Sequence, residues 1–169
     1  MISYQISDDQ FYHISAGCVV YRVVNDDYEF ALLEMKPTNQ RNETEHSTFH
    51  LPKGTLEFGE TLEACALRET AEESGCEVEL VAYLGATIRD LRVEAGFYAR
   101  TPSARDKSTH YFLAKFSKET GHGMDGEHDN LVWSNAGDAE LWLQTDEHKC
   151  EDEFIRRAVK WLQTHESTE

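Results

Sequence analysis

Cations are scarce in this chain: 16 Lys and Arg stand against 32 Asp and Glu over 169 residues, a formal net charge of −16. A surface of that sign repels nucleic-acid backbones and anionic membranes, which argues against duplex DNA or RNA as a partner. Long apolar runs are missing too, and none approaches the ~20 residues needed to span a bilayer. The opening stretch, MISYQISDDQFYHIS, has neither the basic start nor the apolar run of a secretory leader. Four scattered cysteines (Cys18, Cys65, Cys76, Cys150) form no C-x-x-C pair. Neither a zinc site nor a disulfide framework is indicated, and a reducing, cytoplasmic setting is expected. There is no G-x-S-x-G elbow and no G-x-x-x-x-G-K-[ST] loop, which disfavours a serine nucleophile, a kinase or a nucleotide-driven motor.

What the chain does have is concentrated between Gly54 and Cys76, GTLEFGETLEACALRETAEESGC. Turn glycines bracket a predicted helix over residues 62–74, with Thr61 as N-cap and Glu63 in the first turn. Glu69, Glu72 and Glu73 fall at i, i+3 and i+4, on one face within a single turn. Like charges at that spacing repel by about 0.2–0.5 kcal/mol per pair on an exposed helix. Near the helix C-terminus the macrodipole adds roughly 0.3–1 kcal/mol against each anion. A bound divalent cation reverses both penalties, so the pattern reads as a site for a hard metal rather than a solvated acidic face.

With Gly54, Glu60, Arg68 and Gly75 in place, the stretch resembles the signature of the Nudix hydrolases, G-x5-E-x7-R-E-U-x-E-E-x-G-U with U apolar. Every fixed position matches. Thr70 stands where an aliphatic residue is usual and is expected to pack beside Leu67 and Ala71 on the buried side of the helix. The resemblance implies a Nudix-like α/β/α sandwich around a mixed central sheet, formed by residues 1–169 as one domain. It also implies hydrolysis of a phosphoanhydride by metal-activated water. The Gly54 carbonyl and the side chains of Glu69, Glu72 and Glu73 would hold Mg²⁺, with Mn²⁺ as a substitute, and Glu69 or Glu73 would double as base. Arg68 would orient a motif carboxylate, with Glu60 behind it. Glu127, beside His128 in a glycine-rich segment, is a further candidate ligand or base.

For the substrate, His50 and Lys53 stand just before the glycine turn that precedes the motif helix. Arg89, Arg92, Arg100, Arg105 and Lys107 make a locally cationic stretch in which Phe97 and Tyr98 could stack a base. L-P-K-G before the motif, Y-F-L-A-K-F and Trp133 are similar to diadenosine tetraphosphate hydrolases of the family. The tyrosine that often follows the motif in that group is out of register here, Tyr83 coming early and Tyr98 late. A dinucleoside or nucleoside polyphosphate is therefore the expected substrate. The alternatives are a diphosphoinositol polyphosphate and a non-catalytic nucleotide sensor of the same fold.

Elsewhere the chain reads as strands over 11–24, 28–35, 78–88, 109–116 and 131–133, with helices through 139–143 and 152–164. Asn25-Asp26-Asp27 forms a hairpin turn and 36–49 a polar loop. The last helix carries Phe154, Ile155, Ala158, Val159 and Leu162 on one face. His50 and His110 neighbour strands and could face a substrate.

Overall fold

A computed structural model describes residues 14–37, 46–90, 106–121, 124, 126–144 and 150–165. In chain order the elements are β1 (Ile14–Val24), β2 (Asp27–Met35), β3 (Thr48–His50), β4 (Lys53–Thr55) and α1 (Leu62–Ser74). They continue with β5 (Cys76–Asp90), β6 (Asp106–Glu119), β7 (Asn130–Ser134), α2 (Ala136–Leu143) and α3 (Asp152–His165). Among the described residues seven strands make one mixed sheet in the order β3-β2-β1-β6-β5, with β4 also on β1 and β7 also on β2. The β1–β6 pair is parallel and every other pair antiparallel. The sandwich expected from the sequence is the one observed.

The hairpin joining β1 and β2 turns through Asn25 and Asp26, both at positive φ (51° and 66°). Those two residue types tolerate that region best after glycine, and two such residues in succession match the twist of the flanking strands. Two expectations need correction. Part of the polar stretch 36–49 is strand: Thr48–His50 pairs with Leu33–Met35 at the sheet edge, a pairing that the partner strand imposes and local composition does not announce. The strands β5 and β6 also run well beyond the apolar segments that mark them, pairing out to Asp90 and Asp106.

Each face of the sheet carries its own core. On one, Val19, Tyr21, Phe30, Leu32, Leu51, Tyr111 and Leu113 meet Ala139 and Leu143 of α2 and Phe154, Ile155, Ala158 and Leu162 of α3. On the other, α1 lies over Ala16, Cys18, Val20, Ala31, Phe112 and Ala114. The contacts under α1 are mostly small: its own buried residues are Cys65, Ala66, Thr70 and Ser74. Alanine and cysteine on both surfaces let the helix axis lie close to the sheet, which brings the acidic turn within reach of β4. Thr70 is fully buried as expected, but Leu67 is 37% exposed. It lies about 100° around the helix from Ala66, off the buried stripe.

Phe154, fully buried with its ring 4.5 Å from Tyr111, ties α3 to the sheet. Phe154→Ala is expected to cost about 3–5 kcal/mol through lost burial and the cavity left behind. Urea unfolding followed by far-UV circular dichroism measures it.

Candidate active site

The helix α1 begins where Thr61 accepts a hydrogen bond from Ala64 N–H at 3.1 Å and ends at Gly75, whose φ of 68° is the left-handed C-cap. Between them the acidic turn faces β4. Gly54 sits so close that a β-carbon there would fall inside the Glu69 carboxyl group. Only a glycine lets Glu69 stand against the strand. Glu73 is fixed from the same strand, accepting the Lys53 backbone N–H at 2.7 Å through Oε2.

Arg68 gathers the remaining acids. Its Nε and Nη2 form a fork on the two oxygens of Glu60, at 2.9 and 3.0 Å. Nη1 donates to Glu69 at 2.7 Å and reaches Glu72 at 3.3 Å, while Nη2 also donates to the Thr55 carbonyl at 3.1 Å. Such a planar, bidentate arrangement is specific to arginine. Glu60 raises the guanidinium's affinity for its proton further, with Glu69 adding to it. Burial opposes the charge on Glu60, but the Arg68 fork outweighs it and holds that carboxyl below its usual range. At Glu69 the balance goes the other way: burial dominates over Arg68 and the carboxyl is raised. Beneath the strand, the Cys65 thiol lies 3.6 Å from the Gly54 carbonyl, and burial pushes its pKa up to about 12.

The remaining sequence-derived candidates are distributed unevenly. Glu127 is exposed, in the bend before β7, which is anchored on β2 by Asp129 N–H to the Glu34 carbonyl at 2.8 Å. Among the described residues no three His, Cys, Asp or Glu side chains converge closely enough to hold an ion, so the structure does not draw Glu127 into a cage with the three acids of α1. Those three are engaged with Arg68 and the Lys53 amide. Tyr98, Arg100 and Arg105 lie outside the described residues, as do Arg92 and Phe97. His110 is half-buried and bonded through Nδ1 to the Tyr83 hydroxyl at 2.9 Å, and burial lowers its pKa. Lys53 and His50 meet at a residue that sequence reasoning missed.

That residue is Glu151, immediately before α3 and only 1% exposed. It accepts the Leu51 N–H at 3.1 Å and the Tyr111 hydroxyl at 2.9 Å, with Lys53 Nζ at 3.7 Å and His50 Nδ1 at 3.8 Å. Burial opposes its ionisation, but Lys53, His50 and the Leu51 amide outweigh that and bring the carboxyl down to about 2. A signal for it existed: residue 151 lies four before Ile155 and seven before Ala158, on the apolar stripe of α3 extended back by one turn.

A helix laid close on a mixed sheet, with Glu60, Glu69 and Glu72 gathered round one guanidinium beside a glycine strand, belongs to an α/β/α sandwich. The family model described as the NUDIX domain matches residues 12–158, and the chain belongs to that family. It is 32% identical over 127 residues to the asymmetrical bis(5'-nucleosyl)-tetraphosphatase of Caenorhabditis elegans, spanning 74% of this chain and 80% of that one. To the methanol dehydrogenase activator of Bacillus methanolicus it is 27% identical over 154 residues, 89% of this chain and 74% of the other. The solved NUDIX hydrolase of Nitrosomonas europaea superposes with a TM-score of 0.67 at 15% identity, over 88% of this chain and 89% of its own. No helix among the described residues is long and apolar enough to cross a membrane.

Arg68→Met leaves Glu60, Glu69 and Glu72 facing one another, and a loss of about 1–3 kcal/mol is expected at pH 7. Glu60 has a folded pKa below its unfolded one, so its contribution is present above the unfolded carboxylate pKa and lost as pH falls through the folded value. The gap between wild type and variant should therefore narrow on acidification, as urea midpoints at pH 7 and pH 4 will show.

Proposed function

We propose that this protein hydrolyses a phosphoanhydride bond in a nucleotide, with a dinucleoside polyphosphate or nucleoside polyphosphate as substrate, in a reducing cytoplasmic setting. The observation that carries the reading is the joint placement of Gly54, Glu69 and Glu73. The Glu69 carboxyl stands where a Gly54 β-carbon would be, and Glu73 of the same helical turn accepts the amide of the neighbouring Lys53, with Glu72 beside them on α1. The similarity to the tetraphosphatase of Caenorhabditis elegans supports the substrate class.

The donor set is all oxygen and suits a hard divalent cation, for which family members have a general requirement. The Glu69 carboxyl occupies the place that a Gly54 β-carbon would take, so the missing side chain keeps a carboxylate against the strand, as an oxygen-lined ion site requires. The Gly54 carbonyl with Glu69, Glu72 and Glu73 would hold Mg²⁺ or Mn²⁺; when bound, the ion would neutralise phosphate charge and acidify an attacking water. Glu127 is a proposed additional ligand from the bend before β7.

The chain's own residues set the geometry. Arg68 and Glu60 hold Glu69 and Glu72 in place from behind. The Lys53 amide fixes one oxygen of Glu73, so this carboxylate keeps one orientation while it accepts a proton from water. Burial favours the protonated form of Glu69, which makes it the second candidate for that proton. The substrate's phosphates meet a chain of net −16, so local cations have to receive them. Lys53 and His50, with Arg100 and Arg105, are assigned that part. The exposed Tyr83 ring, stacked on His110, offers a flat surface for a base alongside Tyr98. His110, Ala16 and Gly54 lie in one cross-strand row, which puts that surface on the same sheet face as the acidic turn.

Glu73→Gln is expected to lower kcat by at least about 10²-fold with little change in melting temperature; near-wild-type turnover removes Glu73 from the mechanism. Gly54→Ala should fold, because the obstacle is the end of a flexible side chain. It should still lose about 10²-fold in activity as Glu69 is displaced. The deciding measurement is magnesium-dependent product release from dinucleoside polyphosphates, nucleoside triphosphates, nucleotide sugars and diphosphoinositols. Dinucleoside polyphosphates should turn over fastest. Tight binding of one compound with no hydrolysis of any would make the protein a sensor.

A further inference from the structure

A buried carboxylate is costly unless its surroundings compensate it, by several kcal/mol even after relaxation. Glu151 is compensated from one direction. Apart from the Tyr111 hydroxyl, the partners described above all come from residues 50–53, the short segment that leads into the glycine strand. Its place in the chain is also telling. It stands in the capping position of α3, where Ser, Thr, Asp or Asn would turn a side chain onto the helix N–H groups. Only the backbone carbonyl of Glu151 serves α3, accepting Phe154 N–H at 3.0 Å; the side chain reaches across the core instead. The preceding residue, Cys150, has a φ of 51°, a left-handed conformation that costs a non-glycine residue roughly 1–2 kcal/mol. The chain accepts local strain and forgoes a side-chain cap where Glu151 enters the core.

The strand β4 explains what this arrangement controls. Gly54 pairs with Ala16 and faces α1, while Lys53 pairs with Gly17 and sends its side chain to the opposite face, toward α3. Lys53 is thus held from both layers. Its backbone N–H is bound by Glu73 of α1, and its ammonium lies near Glu151. At 3.7 Å that ion pair is longer than the 2.7–2.9 Å of a direct charge-assisted hydrogen bond. The Lys53 side chain is 24% exposed, against 2% for Glu151. The ammonium has three donors, and its exposed side is available to an anion.

We propose that Glu151 is a positioning residue for the hydrolase site, holding Lys53 where the phosphates of the substrate are received. The inference rests on the proposed function. It deepens that reading by assigning the phosphate-receiving side of the site to the β4–α3 junction. Its sign is distinctive. By charge alone, removing an anion beside Lys53 would tighten the binding of a polyanion; if Glu151 positions the lysine, its removal weakens binding.

The test is a double-mutant cycle on the full chain with the non-hydrolysable probe methylenediphosphonate and Mg²⁺, by calorimetry. Glu151→Gln and Lys53→Met are each expected to weaken binding by about tenfold. The double variant should be no weaker than Lys53→Met alone, because Glu151 acts through the lysine. In assays on the best substrate, Glu151→Gln should raise KM by a similar factor and leave kcat within about twofold. Unchanged or tighter binding in Glu151→Gln, additive effects in the double variant, or no binding to the wild type would each overturn the inference. Should Glu151→Gln not fold, Tyr111→Phe takes its place. It keeps the carboxylate but frees the oxygen nearest Lys53, and it should show the same non-additivity at smaller size; additivity there would also overturn the inference. The binding cycle needs no turnover. A protein that hydrolyses nothing yet shows the coupling loses the proposed function and keeps the positioning role. One that hydrolyses without the coupling keeps the function and loses the role.

Discussion

The architecture on the α1 side depends on one guanidinium. Three carboxylates within one helical turn and a fourth from the preceding loop would drive that turn apart, and the helix dipole would add to the effect. Arg68 prevents this by spending its donors on Glu60, Glu69, Glu72 and the Thr55 carbonyl together. A lysine could neutralise as much charge but could not fix four acceptors in one plane. The acidic face is therefore held ready in its folded shape, with its positions set by hydrogen bonds made behind it.

That shape also needs the helix to come close. The residues between α1 and the sheet are alanines and cysteines to an unusual degree, and Gly54 removes the last side chain that would hold Glu69 away. Large side chains are used on the other face, where Tyr21, Phe30, Tyr111 and Phe154 fill the space under α2 and α3. The two faces divide the work: bulk and stability come mainly from the α3 side, close approach from the α1 side. β4 is common to both, with Gly54 and Lys53 facing opposite ways along three residues.

Much of this could be read from the chain. The limits of α1 follow from Thr61 and Gly75, because capping chemistry is local and the structure uses both residues as the sequence suggests. The hairpin at Asn25-Asp26 was legible for the same reason. The family resemblance rests on residues whose spacing is fixed by a single helix and its entry loop. What escaped depended on partners distant in sequence. Thr48–His50 is a strand because β2 offers it an edge, and Leu67 is exposed because the buried stripe of α1 runs through smaller residues. Glu151 looks like one more acid in an acidic tail until the apolar stripe of α3 is extended back through it, and its partners His50, Leu51 and Lys53 lie about a hundred residues earlier.

The single parallel pairing among the described residues, Ile14–Tyr21 of β1 with Ser108–Lys115 of β6, lies at the centre of the sheet. A parallel neighbour cannot be supplied by a tight turn, and this one closes a loop that contains the whole acidic helix. Contacts so distant along the chain are slow to find. During synthesis α1 can coil as soon as it leaves the ribosome, but the sheet surface it rests on is incomplete until β6 has emerged. The acidic turn is written early in the chain and takes its folded place only when the later half arrives.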